Sequence, residues 1–236
     1  MLRRLLQIAL SLLGLLVLAF AGLTWSLFHP SATPLPIPEG QIPLGSPEGQ
    51  ALLASSGAAA DLAPLQASYV TQETGSWCGV ASSVMAINAL GGQDPLTQER
   101  FLSAPTTDVR SWWAVTFGGI PLPDLAAMLR TRWVQVELHH ADDTPLEAFR
   151  ALAAENLARP GDFVIVNYLR SAVGQEGGGH ISPIAAYHPQ TDRFLMLDAS
   201  SYKYPPLWIP ADRLWAAMNT TDSETGRSRG FVTVTR

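Results

Sequence analysis

The chain has 236 residues, 47% of them hydrophobic and 15% charged, and carries a net charge of −5. With no basic run beyond Arg3-Arg4, no nucleic-acid partner is expected. Cys78 is the single cysteine, so an internal disulfide framework is excluded and the fold must stand on packing.

Met1-Leu2-Arg3-Arg4 is a short basic start, and the 24 residues from 5 to 28 carry no charge. About 20 apolar residues suffice to cross a bilayer, so residues 1–28 read as a signal anchor. Arg3 and Arg4 would hold the N-terminus in the cytoplasm and leave the rest in the periplasm, on the inner membrane. Ala19-Phe20-Ala21 offers a competing reading, a signal peptide cleaved after Ala21 with a secreted product. The apolar run continues through Leu23, Trp25, Leu27 and Phe28, which favours the uncleaved anchor. Arg3-Arg4 also leaves a twin-arginine export route open. Pro30, Pro34, Pro36, Pro38 and Pro43 make residues 29–45 a stiff, extended spacer. Residues 46–236, about 190, form one domain with enough chain to bury a core.

Within that domain, residues 79–90 are small or apolar on every side and stop at Gly91-Gly92, so they read as a helix buried all round. Residues 121–132 put Leu122, Leu125, Met128 and Leu129 on one helical face. Residues 133–138 alternate as a strand. Thr144-Pro145-Leu146-Glu147 is a capping box that starts a helix running to Leu157, and Pro160-Gly161 ends it. Strands are then expected over residues 162–169, 180–187, 193–198 and 230–235. His188-Pro189-Gln190-Thr191-Asp192 is a hairpin loop joining the second of these to the third. Helices first and an antiparallel sheet second make an α+β fold.

Cys78 falls at the first turn of the buried helix, where free N–H groups and the helix dipole favour a thiolate. A buried cysteine that is only a small hydrophobe is the alternative. Thiol catalysis needs a base, a group that orients the base, and donors for the oxyanion. Among the five histidines, His29 lies in the leader, His139 and His140 between a strand and a helix, and His188 at a turn. His180 follows Gly177-Gly178-Gly179 and opens an apolar strand, a place where ligand can approach closely. If residues 180–187 and 193–198 pair as a hairpin, His180 and Asp198 share its open end, and Asp198 can hold the imidazole. Gln72, six residues before Cys78, is the natural side-chain donor for the oxyanion beside the Cys78 N–H. His139, His140, Asp142 and Asp143 resemble a metal site on paper, but adjacent histidines point apart and no spare thiolate joins them. No metal site is expected there.

These residues carry a resemblance. Cysteine, histidine, then an acid on adjacent strands is the order of papain-like thiol enzymes, and the ordered motifs resemble the bacterial phytochelatin synthases. The motifs are Ser46-Pro47-Glu48-Gly49, Cys78-Gly79-Val80-Ala81-Ser82-Ser83, Asn167-Tyr168-Leu169, and Gly178-Gly179-His180-Ile181-Ser182-Pro183. Asp198 with Tyr202-Lys203-Tyr204-Pro205-Pro206, then Trp215-Ala216-Ala217-Met218-Asn219-Thr220 and Arg229-Gly230-Phe231, complete the series over residues 46–236. The resemblance implies a papain-like fold, with Cys78 as nucleophile, His180 as base, Asp198 as acid and Gln72 at the oxyanion. It also implies that Tyr202, Lys203 and Arg229 face a γ-glutamyl-cysteine unit.

The implied activity is attack of Cys78 on the Cys–Gly bond of glutathione, giving γ-Glu-Cys with water or a phytochelatin with a second glutathione. A general leader-processing cysteine peptidase and a non-catalytic exported binding domain are the rival readings. No tightly bound cofactor is expected. Cadmium or zinc would enter as thiolate complexes of the substrate. The membrane, through residues 1–28, is the other partner, with a homodimer one option for the quaternary state. No counterpart of the cysteine-rich C-terminal region of the plant members is expected after Phe231.

Overall fold

The computed structural model describes residues 2–28, 33–92 and 94–236; His29 and Pro30 lie outside the described residues. The first element is the long helix α1 (Leu2–Phe28). Its stretch Leu6–Ser26 is long and apolar enough to cross a membrane by length and composition, and none of it is buried in the structure.

The short strand β1 (Ile42–Pro43) leads into a helical region: α2 (Pro47–Ser55), α3 (Leu62–Ala67), α4 (Cys78–Ala89), α5 (Gln98–Phe101), α6 (Thr106–Val109), α7 (Trp112–Gly118) and α8 (Leu122–Arg130). A sheet-rich region follows, with β2 (Gln135–His140), α9 (Leu146–Leu157), β3 (Asp162–Leu169), β4 (Gly179–His188), β5 (Arg193–Met196), β6 (Leu207–Pro210), α10 (Ala211–Met218) and β7 (Gly230–Thr235). The strands make one seven-stranded sheet in the order β1-β6-β5-β4-β3-β7-β2, antiparallel throughout. Mixed helix and antiparallel sheet is therefore the architecture.

Both faces of the sheet are covered, and strand periodicity divides the side chains between them. Phe163, Ile165, Ile181, Ala185, Leu195 and Val232 join the core that contains Val80, Val84, Met85 and Leu125 from α4 and α8. Val164, Val166, Phe194, Met196 and Phe231 join the other core, with Phe149 of α9 and Leu214 of α10. Inner strands covered on both sides read as near-continuous apolar runs, which is why residues 162–169 and 230–235 were legible as strands.

Several expectations need correction. The Pro-rich stretch, read as a spacer to residue 45, lies against the domain from Leu35 onward. Leu35 N–H donates to Lys203 O (2.9 Å), Gln41 is buried, and β1 pairs with β6. A proline-rich chain has few N–H groups to satisfy, so it can lie along a surface with few ladder bonds. The capping box at Thr144 does not form: α9 begins at Leu146 after Pro145, with no side-chain cap. Trp133 is not in a strand. It has φ 62° and is 96% exposed, and β2 begins two residues later and takes in His139 and His140. Strands β1 and β6 are too short for their periodicity to be read.

Candidate active site

Helix α4 begins at Cys78, behind Trp77, which supplies no side-chain cap. The Cys78 N–H is thus among the helix N-terminal donors that have no partner within the helix. Every residue from Cys78 to Ala86 is buried, as a helix lodged between a sheet and other helices requires. Gly79 permits this approach: a Cβ there would lie 3.0 Å from Ile181 Cδ1 and 3.1 Å from Ile120 Cδ1. One turn later Ser82 Oγ donates to Ile181 O (3.0 Å), fastening α4 to β4. Trp77 Nε1 donates to Thr116 Oγ1 (3.1 Å) and holds the turn before the cysteine.

Strand β4 brings His180 to this point. The β4–β5 ladder runs from His188↔Arg193 to Ile184↔Met196, with a register shift between Ile184 and Ala186. After Leu197 N–H donates to Pro183 O (3.0 Å), the chain leaves the ladder and Asp198 turns to the imidazole. His180 Nε2 lies 2.9 Å from Asp198 Oδ1 and 2.9 Å from Ser182 Oγ. His180 is coupled to the Cys78 thiol by charge and by a side-chain hydrogen bond.

Asp198 Oδ1 accepts two further bonds, from Ser200 N–H (2.7 Å) and from Arg170 Nη2 (2.7 Å). The hydroxyl of Tyr69 donates to the Asp198 backbone carbonyl. Arg170 Nη2 also stands 2.9 Å from His180 Nε2, and its guanidinium lies over the Tyr204 ring. Because Nε2 carries the proton given to Asp198, that approach is a contact between donors, bridged by the carboxylate both share.

Burial opposes ionisation at each group, and the neighbours outweigh it. Burial pushes the Cys78 thiol up, but the charge and hydrogen bond of His180, the Ile181 backbone and Arg170 bring it below its ordinary value. For His180, burial and Arg170 favour the neutral ring, while Asp198 and Cys78 hold it above its ordinary value. Burial would raise the Asp198 carboxyl, yet His180 and Arg170 hold it well below the usual carboxylate range. The shifts favour a thiolate–imidazolium pair on an ionised carboxylate, the state a thiol nucleophile needs.

Gln72 is buried beside this set. Its Nε2 donates to Thr74 O (2.7 Å), its Oε1 accepts from Ser200 Oγ (2.6 Å), and its N–H donates to Ala199 O (2.8 Å). One amide hydrogen remains for an oxyanion. Arg229 lines a cleft of about 360 Å³ together with Cys78, His180, Asn167, Asp222 and Glu224. Its Nη1 is held by Thr220 and Thr221, and its Nε is buried without a partner. Tyr202 and Lys203 are not among the residues lining that cleft; they sit in the turn after Asp198, with Tyr202 hydrogen-bonded to Ser200. A larger cavity, about 800 Å³, lies by the far end of α4 around Ile87, Leu96 and Arg132, away from the thiol.

His139 and His140 are engaged otherwise. His139 stacks on Phe231 (4.7 Å), and His140 Nδ1 meets Ser228 O (2.7 Å). Asp142 and Asp143 pair with Arg227 at 3.1 and 2.7 Å. Among the described residues, no group of three or more His, Cys, Asp or Glu is placed to hold a metal ion.

The sequence reading missed Arg170, Ser182 and Ser200. An arginine closing an apolar strand reads as a charge at the solvent, and no local pattern announces its burial.

The phytochelatin synthase family model matches residues 32–231. Glutathione gamma-glutamylcysteinyltransferase 1 of Triticum aestivum is 35% identical over 172 residues, covering 71% of this chain and 34% of the relative. Glutathione gamma-glutamylcysteinyltransferase 3 of Lotus japonicus is 33% identical over 172 residues, covering 71% and 36%. The Schizosaccharomyces pombe glutathione gamma-glutamylcysteinyltransferase is 23% identical over 167 residues, covering 69% and 40%. The chain thus spans 34% to 40% of the length of these curated relatives. Among solved structures, xylellain, a cysteine protease from Xylella fastidiosa, aligns with 89% of this chain and 95% of its own, at 11% identity and a TM-score of 0.42.

Proposed function

Since this chain belongs to the phytochelatin synthase family, we propose that its domain is a thiol-dependent γ-glutamylcysteine dipeptidyl transferase and peptidase acting on glutathione, on a papain-like fold. The observation that carries the reading is the buried set of Cys78, His180 and Asp198 at the start of α4, with its charges biased toward the thiolate.

In this mechanism the Cys78 thiolate attacks the carbonyl carbon of the Cys–Gly bond. The Cys78 N–H and the remaining hydrogen of Gln72 hold the oxyanion. Collapse breaks the C–N bond as the His180 imidazolium gives its proton to the leaving glycine nitrogen, and a γ-glutamyl-cysteinyl thioester remains. His180, now neutral, takes a proton from water or from the amine of a second glutathione, which releases γ-Glu-Cys or a phytochelatin. Asp198 keeps the imidazole oriented throughout. Arg229 on the cleft wall suits a substrate carboxylate, and Tyr202 stands within electrostatic reach of Cys78, Asp198 and Arg170 from the turn after Asp198, with Lys203 the further candidate from the same turn.

Cadmium and zinc act in this reading through glutathione thiolate complexes, because the lone protein thiolate is the nucleophile and a metal seated on it would block attack. Helix α1 is an uncleaved anchor that holds the domain at the periplasmic side of the inner membrane. Incubating the protein with glutathione, with and without cadmium, and weighing the products is the deciding experiment. Glycine with γ-Glu-Cys or γ-Glu-Cys oligomers is expected; intact glutathione after prolonged incubation would overturn the activity. A reporter fused after residue 45 and active only in the cytoplasm would overturn the location.

A further inference from the structure

A buried chain of amides joins the docked N-terminal segment to the site. Gln41, Gln175, Arg170, His180 and Asp198 are all buried, and come from the segment before β1, the turn before β4, the first residue of the short 3-10 helix after β3 (Arg170–Val173), the start of β4 and the turn after β5. Gln41 Nε2 donates to Val173 O (2.7 Å), and Gln175 Nε2 donates to Gln41 Oε1 (3.1 Å). Gln175 Oε1 then accepts from Arg170 Nη1 (2.6 Å) and from Tyr168 Oη (3.1 Å). Arg170 Nη2 closes the chain on Asp198 Oδ1 (2.7 Å).

The polarity of this chain admits one arrangement. The Val173 carbonyl can only accept, so the Gln41 amide must turn its nitrogen there and its oxygen to Gln175. Gln175 must then present nitrogen to Gln41 and oxygen to Arg170 and Tyr168, both of which can donate. Without the acceptor at residue 41, the Gln175 nitrogen is a buried donor with nothing to bond. A flip that relieved it would set N–H against the guanidinium and dislodge Arg170 from Asp198. We propose that Gln41 is a positioning residue for the Cys78–His180–Asp198 set, acting through Gln175 and Arg170. The segment expected to be a mere spacer is thereby part of the working site.

The inference rests on the thiol reading above, and its deciding readout, alkylation of the thiol, does not require glutathione. Cys78 and His180 are faced by Asp198 and Arg170, by Tyr168 and Tyr202, and across the cleft by Arg229, Asp222 and Glu224. Of these, Arg170 is the buried cation that disfavours the imidazolium and favours the thiolate. Loosening it should move both the thiolate onset and the imidazolium loss to higher pH.

Because Cys78 is the single cysteine, its alkylation by iodoacetamide across pH reads the thiolate directly. Gln41→Met, close in shape but unable to hydrogen-bond, should fold, shift the alkylation curve upward, and shift both limbs of kcat/KM with it. At neutral pH kcat/KM should fall about fivefold to a hundredfold, the cost of one buried unmet donor. Gln175→Met should give the same shift, and the double variant no more than either single. Gln41→Glu, whose buried carboxyl keeps a proton for Val173 and an oxygen for Gln175, should restore the wild-type curve. A folded Gln41→Met with the wild-type alkylation curve overturns the proposal, as do additive shifts in the double variant. If Gln41→Met does not fold, a wild-type curve in Gln175→Met overturns it. Wild-type thiol chemistry without glycine release would instead count against glutathione as substrate.

Discussion

Histidine and carboxylate meet in two regions of this molecule, and the environments differ more than the residues do. At the start of β4, His180 and Asp198 are joined by Arg170, with the Asp198 and Arg170 side chains each only 3% exposed. Near the end of β2, His140, Asp142 and Asp143 stand beside Arg227, with the Asp142 side chain 43% and that of Arg227 48% exposed. Both carboxylates are held below their ordinary value, Asp142 to about 2 chiefly by Arg227, and Asp198 by His180 and then by Arg170. Only in the first region does burial make each charge depend on its neighbours. In the second, water screens the pair, and its removal leaves nothing stranded. Asp61 supplies the contrasting case: buried, with neither oxygen partnered, its carboxyl is pushed up to about 8 by burial and then by Asp162.

The sharpest way to break this comparison is at the buried site. Cys78→Ser and His180→Ala should each lower glycine release from glutathione by about a thousandfold or more while circular dichroism shows the fold retained. More than a trace of activity in Cys78→Ser would remove the thiol mechanism.

Asp198→Asn comes next. Turnover should fall about a hundredfold to ten-thousandfold, and stability should drop by about 3–5 kcal/mol as Arg170 loses its buried partner. The pH dependence should change as well. The folded Asp198 carboxyl titrates below its ordinary 3.8, so its stabilising effect is present above that value and lost as pH falls toward the folded pKa. Thermal melts from about pH 6 down to pH 2.5 should show the wild-type Tm falling steeply below pH 4 and the variant falling less. Parallel curves would mean that the carboxylate is not ionised in the fold.

Asp61→Asn should produce a smaller effect of opposite sign. Its folded value near 8 against an ordinary 3.8 means the fold holds a proton that the unfolded chain releases. Stability is therefore lost as pH rises between those values, and the substitution should raise Tm by several degrees at about pH 8 and hardly at all at about pH 4. An unchanged Tm at both would show that Asp61 is not the group responsible.

The exposed region should respond least. Changing His139 and His140 together to Ala should leave basal turnover and any cadmium stimulation unaltered, as the proposal that metal enters with the substrate requires. Loss of stimulation with basal turnover intact would establish a metal site on the protein itself.

The division between sequence and structure follows the range of the forces involved. Helix α4 was legible because a run that is apolar on all sides has to be buried. Strands β3 and β7 were legible because both of their faces are covered. The shared end of His180 and Asp198 followed from the hairpin loop, since register is counted from the turn; the sequence put His188 in that loop, whereas it closes β4 opposite Arg193 and leaves the four residues 189–192 as the loop. Each of these is a local pattern read over a few residues. Arg170 could not be read, because a charge at a strand end looks alike whether it meets water or a buried carboxylate. The docking of residues 35–44, the pairing of β1 with β6 and the Gln41–Gln175 bond at 3.1 Å join residues far apart in sequence. Prolines announce a stiff chain but not the surface it lies against. The sequence alone determined which residues could carry the chemistry. Tertiary structure decided their burial and their partners, because a hydrogen bond between distant residues leaves no periodicity in either segment.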